Sequence, residues 1–151
     1  VTANVERDYE IVGFTTSNTA TTWRNWRENT VLTRLDVSPR RRLDDVCRYM
    51  QGLPMGGTDC ALPMVWALEH QMPFDTFVTY TDNETWSGSI HPHEALRRYR
   101  EQINPNARMI VVAMTGTGST VSDPNDVLSM DISGFDSNVP DLINSFARGD
   151  I

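Results

Sequence analysis

The sequence predicts an α/β fold: a doubly wound, mostly parallel sheet with helices on both faces, forming a single domain over residues 1–151. Three observations point there. First, short β-branched and aromatic runs alternate with helical patterns along the chain. Second, Arg108-Met109-Ile110-Val111-Val112-Ala113-Met114 is a continuous apolar run, the pattern of a central parallel strand covered on both faces. Third, Gly56-Gly57-Thr58-Asp59-Cys60 opens a helical pattern, and Phe77-Val78-Thr79-Tyr80-Thr81 ends at Asp82. That arrangement offers a hydroxyl from Thr58 and a carboxylate from Asp82 at a sheet's carboxyl edge, where open α/β sheets place their ligands.

Val1 to Asp8 is short and polar and reads as the tail of a helix. Tyr9 to Thr15 reads as a strand ending in a Thr/Ser/Asn turn cluster. Thr16 to Asn29 is expected to be irregular, with Trp23 and Trp26 on a flap packed against the core rather than on an exposed binding feature. Thr30 to Leu35 reads as a second strand, antiparallel to the first. Ser38-Pro39 has the form of a helix start, N-cap then Pro at the first helical position, and Gly52 closes that helix. Leu43, Val46, Cys47 and Met50 give its apolar stripe, and Arg40-Arg41-Arg42 falls in its first turn as a solvated face.

The next helix follows Thr58-Asp59, tolerates Pro63 in its first turns and carries Leu62, Val65 and Leu68. After the Phe77–Thr81 strand comes a polar loop from Asp82 to His93. A helix from Pro92 then shows Leu96, Tyr99 and Ile103 and ends at Asn104-Pro105-Asn106. Beyond the Arg108–Met114 strand lie a Gly/Thr/Ser loop, a weaker peripheral strand over Val127–Ile132, and a last amphipathic helix marked by Val139, Leu142, Ile143 and Phe146.

Composition bounds the function. A chain of 151 residues buries roughly 70% of the surface it exposes when unfolded, so a real core is expected. With 39% apolar residues and no run near the roughly 18 that a membrane span needs, the expectation is a soluble, cytoplasmic protein with no membrane contact. No signal peptide is visible at the start. The net charge of −7 argues against a nucleic-acid face on this chain itself. All 13 basic residues are Arg, which reads as a GC-rich coding sequence. Cys47 and Cys60 sit on separate helical patterns without metal-ligand spacing and are expected to be reduced thiols.

Thr58 after two glycines can be a helix cap, and Asp82 after a strand can be a turn former. Their pairing across one strand-helix unit makes a Mg²⁺ site the alternative reading, with Thr58 and Asp82 as metal ligands. His91-Pro92-His93 is better explained as a loop-to-helix junction than as a zinc site. Gly116-Thr117-Gly118 follows a strand but lacks a third glycine, so no dinucleotide site is expected. No catalytic residue is assigned. A Mg²⁺-dependent phosphoryl-transfer or hydrolase activity through Asp82 and Glu84 stays as the enzymatic alternative.

Gly56-Gly57-Thr58-Asp59-Cys60-Ala61-Leu62-Pro63-Met64, Tyr80-Thr81-Asp82-Asn83-Glu84-Thr85-Trp86, and Ile90-His91-Pro92 with Ala95-Leu96-Arg97-Arg98-Tyr99-Arg100 resemble the C-terminal von Willebrand factor A-like domain of the Ro RNA-binding (TROVE) proteins. Asp131-Ile132-Ser133-Gly134-Phe135-Asp136 continues the likeness, which is dense from Leu53 to Ile151. The resemblance implies a Rossmann-like A-domain fold and a non-catalytic binding module. It also implies a ring of helical repeats outside this chain that holds misfolded small RNAs and Y RNA. In that family a metal-ion-dependent adhesion site joins an Asp-x-Ser-x-Ser motif to a Thr and an Asp; the latter two correspond to Thr58 and Asp82. Asp36-Val37-Ser38-Pro39-Arg40 and Asp131-Ile132-Ser133-Gly134-Phe135 begin like the first motif and each lacks its final Ser. The expectation is therefore an N-terminally incomplete domain with a partial site for an acidic ligand, its missing strand supplied by another polypeptide or segment. A generic adhesion module that never meets RNA is the remaining alternative.

Overall fold

The computed structural model describes residues 6–15, 22–24, 31–54, 58–82, 89–114 and 121–151. They fall into two compact units, Val1–Thr58 and Asp59–Ile151. The first unit is a three-stranded antiparallel sheet and one helix. Strands β1 (Val12–Thr15) and β2 (Thr22–Arg24) flank β3 (Val31–Arg34). β1 and β3 run antiparallel with Gly13 opposite Thr33, as their sequences predict. β2 is unexpected: it lies inside the stretch read as irregular, with Trp23 opposite Leu32. Thr22, Trp23 and Arg24 suit a strand by side-chain type, but three residues are too few to show a periodicity. Trp26 lies outside the described residues.

Helix α1 (Leu43–Gln51) starts four residues later than the Ser-Pro signal suggests. Residues 38–41 close a turn instead, with Arg41 N–H donating to Ser38 O at 3.1 Å. The Arg41 guanidinium is tied to the Asp36 carboxylate at 2.9 Å, which holds that turn outside the helix. The later start avoids an electrostatic conflict, since the first turn carries Asp44 and Asp45 rather than three arginines. Gly52 does end the helix, and no residue of α1 is buried.

The second unit is a three-layered α/β arrangement. β4 (Thr76–Thr81), β5 (Arg108–Ala113) and β6 (Ser129–Ser133) form a parallel sheet with β5 in the middle. β5 is buried at five consecutive positions, as its unbroken apolar run predicts. One face is covered by α2 (Leu62–Glu69) and α3 (Pro92–Gln102), in a core of Met64, Ala67, Phe77, Leu96, Tyr99, Met109 and Val111. α4 (Val139–Arg148) covers the other, packing Ile143 and Phe146 on Ile110, Val112 and Ile132. Residues at alternate strand positions thus feed opposite cores, with α3 in the β4–β5 crossover on one face and α4, which follows β6, on the other.

β6 begins two residues later than predicted. Val127 is 87% exposed because Asp126 folds its neighbours into a turn, accepting from Leu128 N at 3.0 Å and from the Ser129 hydroxyl at 2.6 Å. α4 ends at Gly149, whose φ of 77° suits the left-handed closing position that glycine adopts without strain. Both cysteines are free, Cys47 exposed and Cys60 buried.

Candidate functional site

β4 leads directly into the first of the two residues singled out. Its burial alternates, with Phe77, Thr79 and Thr81 inward, so the strand is fixed in register against β5 through Thr81 opposite Ala113. Asp82 follows directly, at the carboxyl end of the sheet, and is exposed. The buried Thr81 hydroxyl donates to Asp82 Oδ1 at 3.3 Å. A carboxylate at the mouth of a strand, steadied from below and open to water, can meet a cation or a hydrogen-bond donor from solution.

Thr58 is half-buried and is the last residue of the first unit. Its neighbour Asp59, only 2% exposed, supplies what the sequence reading lacked. Asp59 Oδ1 accepts from Ala61 N at 3.0 Å, and Asp59 O accepts from Leu62 N at 3.2 Å. The pair of bonds forms a turn that leads into α2, so Asp59 organises that helix start. Gly56, Gly57 and Glu84 lie outside the described residues.

His91 and His93 hold their rings 4.3 Å apart at the start of α3, where His91 precedes the first helical residue, as a loop-to-helix junction would. Among the described residues no three His, Cys, Asp or Glu side chains converge as a metal-binding group. Among the described residues, a cation at Asp82 would draw mainly on hydroxyl and water oxygens. Mg²⁺ tolerates this, since it keeps several waters and takes one or two carboxylates. The donor type fits; a closed cage does not exist among these residues.

The sequence also did not show the aromatic pair at this end of the sheet. Tyr80 of β4 stacks on Phe135, just past β6, with centroids 6.4 Å apart. Partial burial pushes the Tyr80 hydroxyl above the usual phenol range.

A family described as "Ro60 vWA domain" matches residues 1–147. The chain belongs to that family. RNA-binding protein RO60 of Caenorhabditis elegans is 44% identical over 121 residues, which are 80% of this chain and 19% of that protein. RNA-binding protein RO60 of Deinococcus radiodurans is 40% identical over 117 residues, 78% of this chain and 22% of that protein. The crystal structure of the Deinococcus radiodurans RO (RSR) protein superposes with a TM-score of 0.80 at 34% identity, covering 99% of this chain and 27% of that one. The Ro60 vWA chain thus spans about a fifth of the two relatives' length. Its α/β, von Willebrand factor A-like fold follows from the same likeness, and the resemblance read from the Gly-Gly-Thr-Asp-Cys and Thr-Asp-Asn-Glu motifs holds.

Proposed function

We propose that this vWA domain is a non-catalytic, metal-assisted binding module of a Ro-type RNA-binding protein. The observation that carries the reading is Asp82: an exposed carboxylate at the carboxyl end of a buried parallel strand, braced by Thr81, in a chain 44% identical to a protein named for RNA binding. Asp82 and the Thr58 hydroxyl serve as ligands of Mg²⁺, water fills further positions, and an acidic protein ligand completes the shell through its own carboxylate. With so few protein ligands the affinity for Mg²⁺ alone is weak, on the order of millimolar. RNA, of the small non-coding kind that includes Y-like and misfolded RNAs, is held mainly by the helical-repeat ring that accompanies such domains. The acidic charge of this chain supports that division of labour. The assembly works in the cytoplasm.

Two arms test the proposal. Cross-linking of the full-length protein in its source cell should recover small structured RNAs. The domain's melting temperature should rise with millimolar MgCl₂ in the parent and not in Asp82→Asn. Recovery of no RNA above background would remove the Ro-type role. Equal Mg²⁺ stabilisation of parent and variant, or micromolar Mg²⁺ affinity, would remove the site assignment.

A further inference from the structure

The carboxyl end of the parallel sheet carries an apolar patch that the metal reading leaves unused. Tyr80 and Phe135 stack with planes 7° from parallel, yet stay 51% and 59% exposed. Met114, 59% exposed, extends the patch: its N–H donates to Thr81 O at 2.9 Å, prolonging the β4–β5 ladder. Strand alternation sets Met114 on the Val112 face, which Val78 and Tyr80 share. Gly134, at φ 85°, donates to Ala113 O at 2.8 Å and turns the chain so that Phe135 reaches Tyr80. Contiguous large apolar groups left half in water commonly mark an interaction surface.

Charge selects the occupant. Residues 109–147 contain five aspartates and no Arg, Lys or His. The arginines of this unit are engaged elsewhere. Arg108 starts β5 and bonds Phe146 O, Arg148 ends α4 beside Asp150, and Arg100 is paired with Asp126. Arg97 and Arg98 pair with Glu94 and Glu101 along α3. Asp82 and Asp136, both exposed, follow Tyr80 and Phe135 within two residues, and Asp141, also exposed, lies in the first turn of α4, which begins beyond the carboxyl end of β6. His91 and His93 lie at the start of α3, whose core residues pack on the opposite face of the sheet. An aromatic surface with an acidic rim repels phosphate and favours a cation. Guanidinium suits it best, because it is weakly hydrated, lies flat on rings and forks onto carboxylates.

We propose that Tyr80, Phe135 and Met114 form a docking surface for an arginine-bearing basic segment of a partner protein, its guanidinium stacked on the aromatic pair and its flanking charges met by Asp136 and Asp141. The surface needs no metal ion.

The test is NMR titration of the full-length protein in EDTA, which silences any metal site, with three probes: a Gly/Ser peptide bearing arginines, its lysine counterpart and a short single-stranded RNA. The arginine peptide should shift signals of Tyr80, Met114, Gly134 and Phe135 and bind about fivefold more tightly than the lysine peptide. Tyr80→Thr with Phe135→Ala should weaken arginine-peptide binding at least about tenfold. Phe135→Ala alone serves if the pair disturbs the fold, because Phe135 is an exposed turn residue. Unchanged affinity in the variant, equal affinity for the two peptides, no binding, or RNA shifting the same signals would overturn the proposal.

Discussion

Removing the single hydroxyl of Tyr99 should destabilise the second unit by about 1.5–3 kcal/mol. Tyr99 is fully buried in α3, and its ring meets Phe77 edge-on at 5.0 Å and 88°. The hydroxyl donates to Met72 O at 2.7 Å and accepts from Phe74 N at 2.6 Å, clamping the connector that leads into β4. Burial is the main reason the phenol pKa is raised, so the group stays a neutral donor. Tyr99→Phe keeps the ring and its packing and deletes only these bonds. The Phe74 N–H loses its acceptor, at about 1–3 kcal/mol for a buried unsatisfied group, and Met72 O loses a donor. The half-burial of Met72 and Phe74 lets water recover part of this, hence the estimate. Phe74 O keeps the Asn104 amide at 3.2 Å and adds little. Amide hydrogen exchange at buried β5 positions such as Val111 reads the loss within this unit directly, as a roughly 10- to 150-fold faster rate. A change under about 0.5 kcal/mol would refute the clamp and with it the account of how β4 is set in place.

Further expectations follow from the same contacts. Ile110→Ala, at a fully buried position in β5, should cost about 2–5 kcal/mol, whereas Leu43→Ala, 75% exposed on α1, should change stability by less than about 0.5 kcal/mol; urea unfolding separates the two. Gly149→Ala should lower stability by about 1 kcal/mol or more, because φ is positive there and the new Cβ would meet Arg108 Nη2 at 2.6 Å. Burial alone would push the Asp126 carboxyl up, but hydrogen bonds from Ser129, Arg100 and Leu128 outweigh it and hold it below the usual range. The folded form is therefore the stronger acid. Its contribution is complete above the unfolded value near 3.9 and is lost as pH falls through the lower folded value. Asp126→Asn should accordingly show a flatter acid limb below about pH 4 than the parent in pH-dependent unfolding.

Much of the second unit was legible because its signals are long and agree with one another. β5 announces itself by an unbroken apolar run, and α3 by Pro92 followed by Leu96 and Tyr99 at helical spacing. Strand partners were harder, since β6 has only Met130 and Ile132 facing the α4 core. One local signal failed against another: Ser38-Pro39 looks like a helix start, but Arg41 paired with Asp36, five residues before it, accompanies a turn that stays outside α1. Amphipathicity also misled, for the α1 stripe from Leu43 to Met50 buries none of its members. At the candidate site, Asp82 could be found because a strand pattern ends on it. Asp59 could not, since a buried carboxylate that forms a turn looks in sequence like any polar residue before a helix. The Tyr80–Phe135 pair needed the β4-β5-β6 order, which brings residues 55 positions apart into contact.

The central claim, that Asp82 and Thr58 hold one divalent cation for a ligand, is tested most directly by paramagnetic NMR with Mn²⁺ standing in for Mg²⁺. Substoichiometric Mn²⁺ should broaden the amide signals of Thr58, Asp59, Thr81 and Asp82 first, with excess Mg²⁺ reversing the effect and Asp82→Asn abolishing it. Broadening that starts instead around Asp123 and Asp126, or that persists unchanged in Asp82→Asn, would contradict the account.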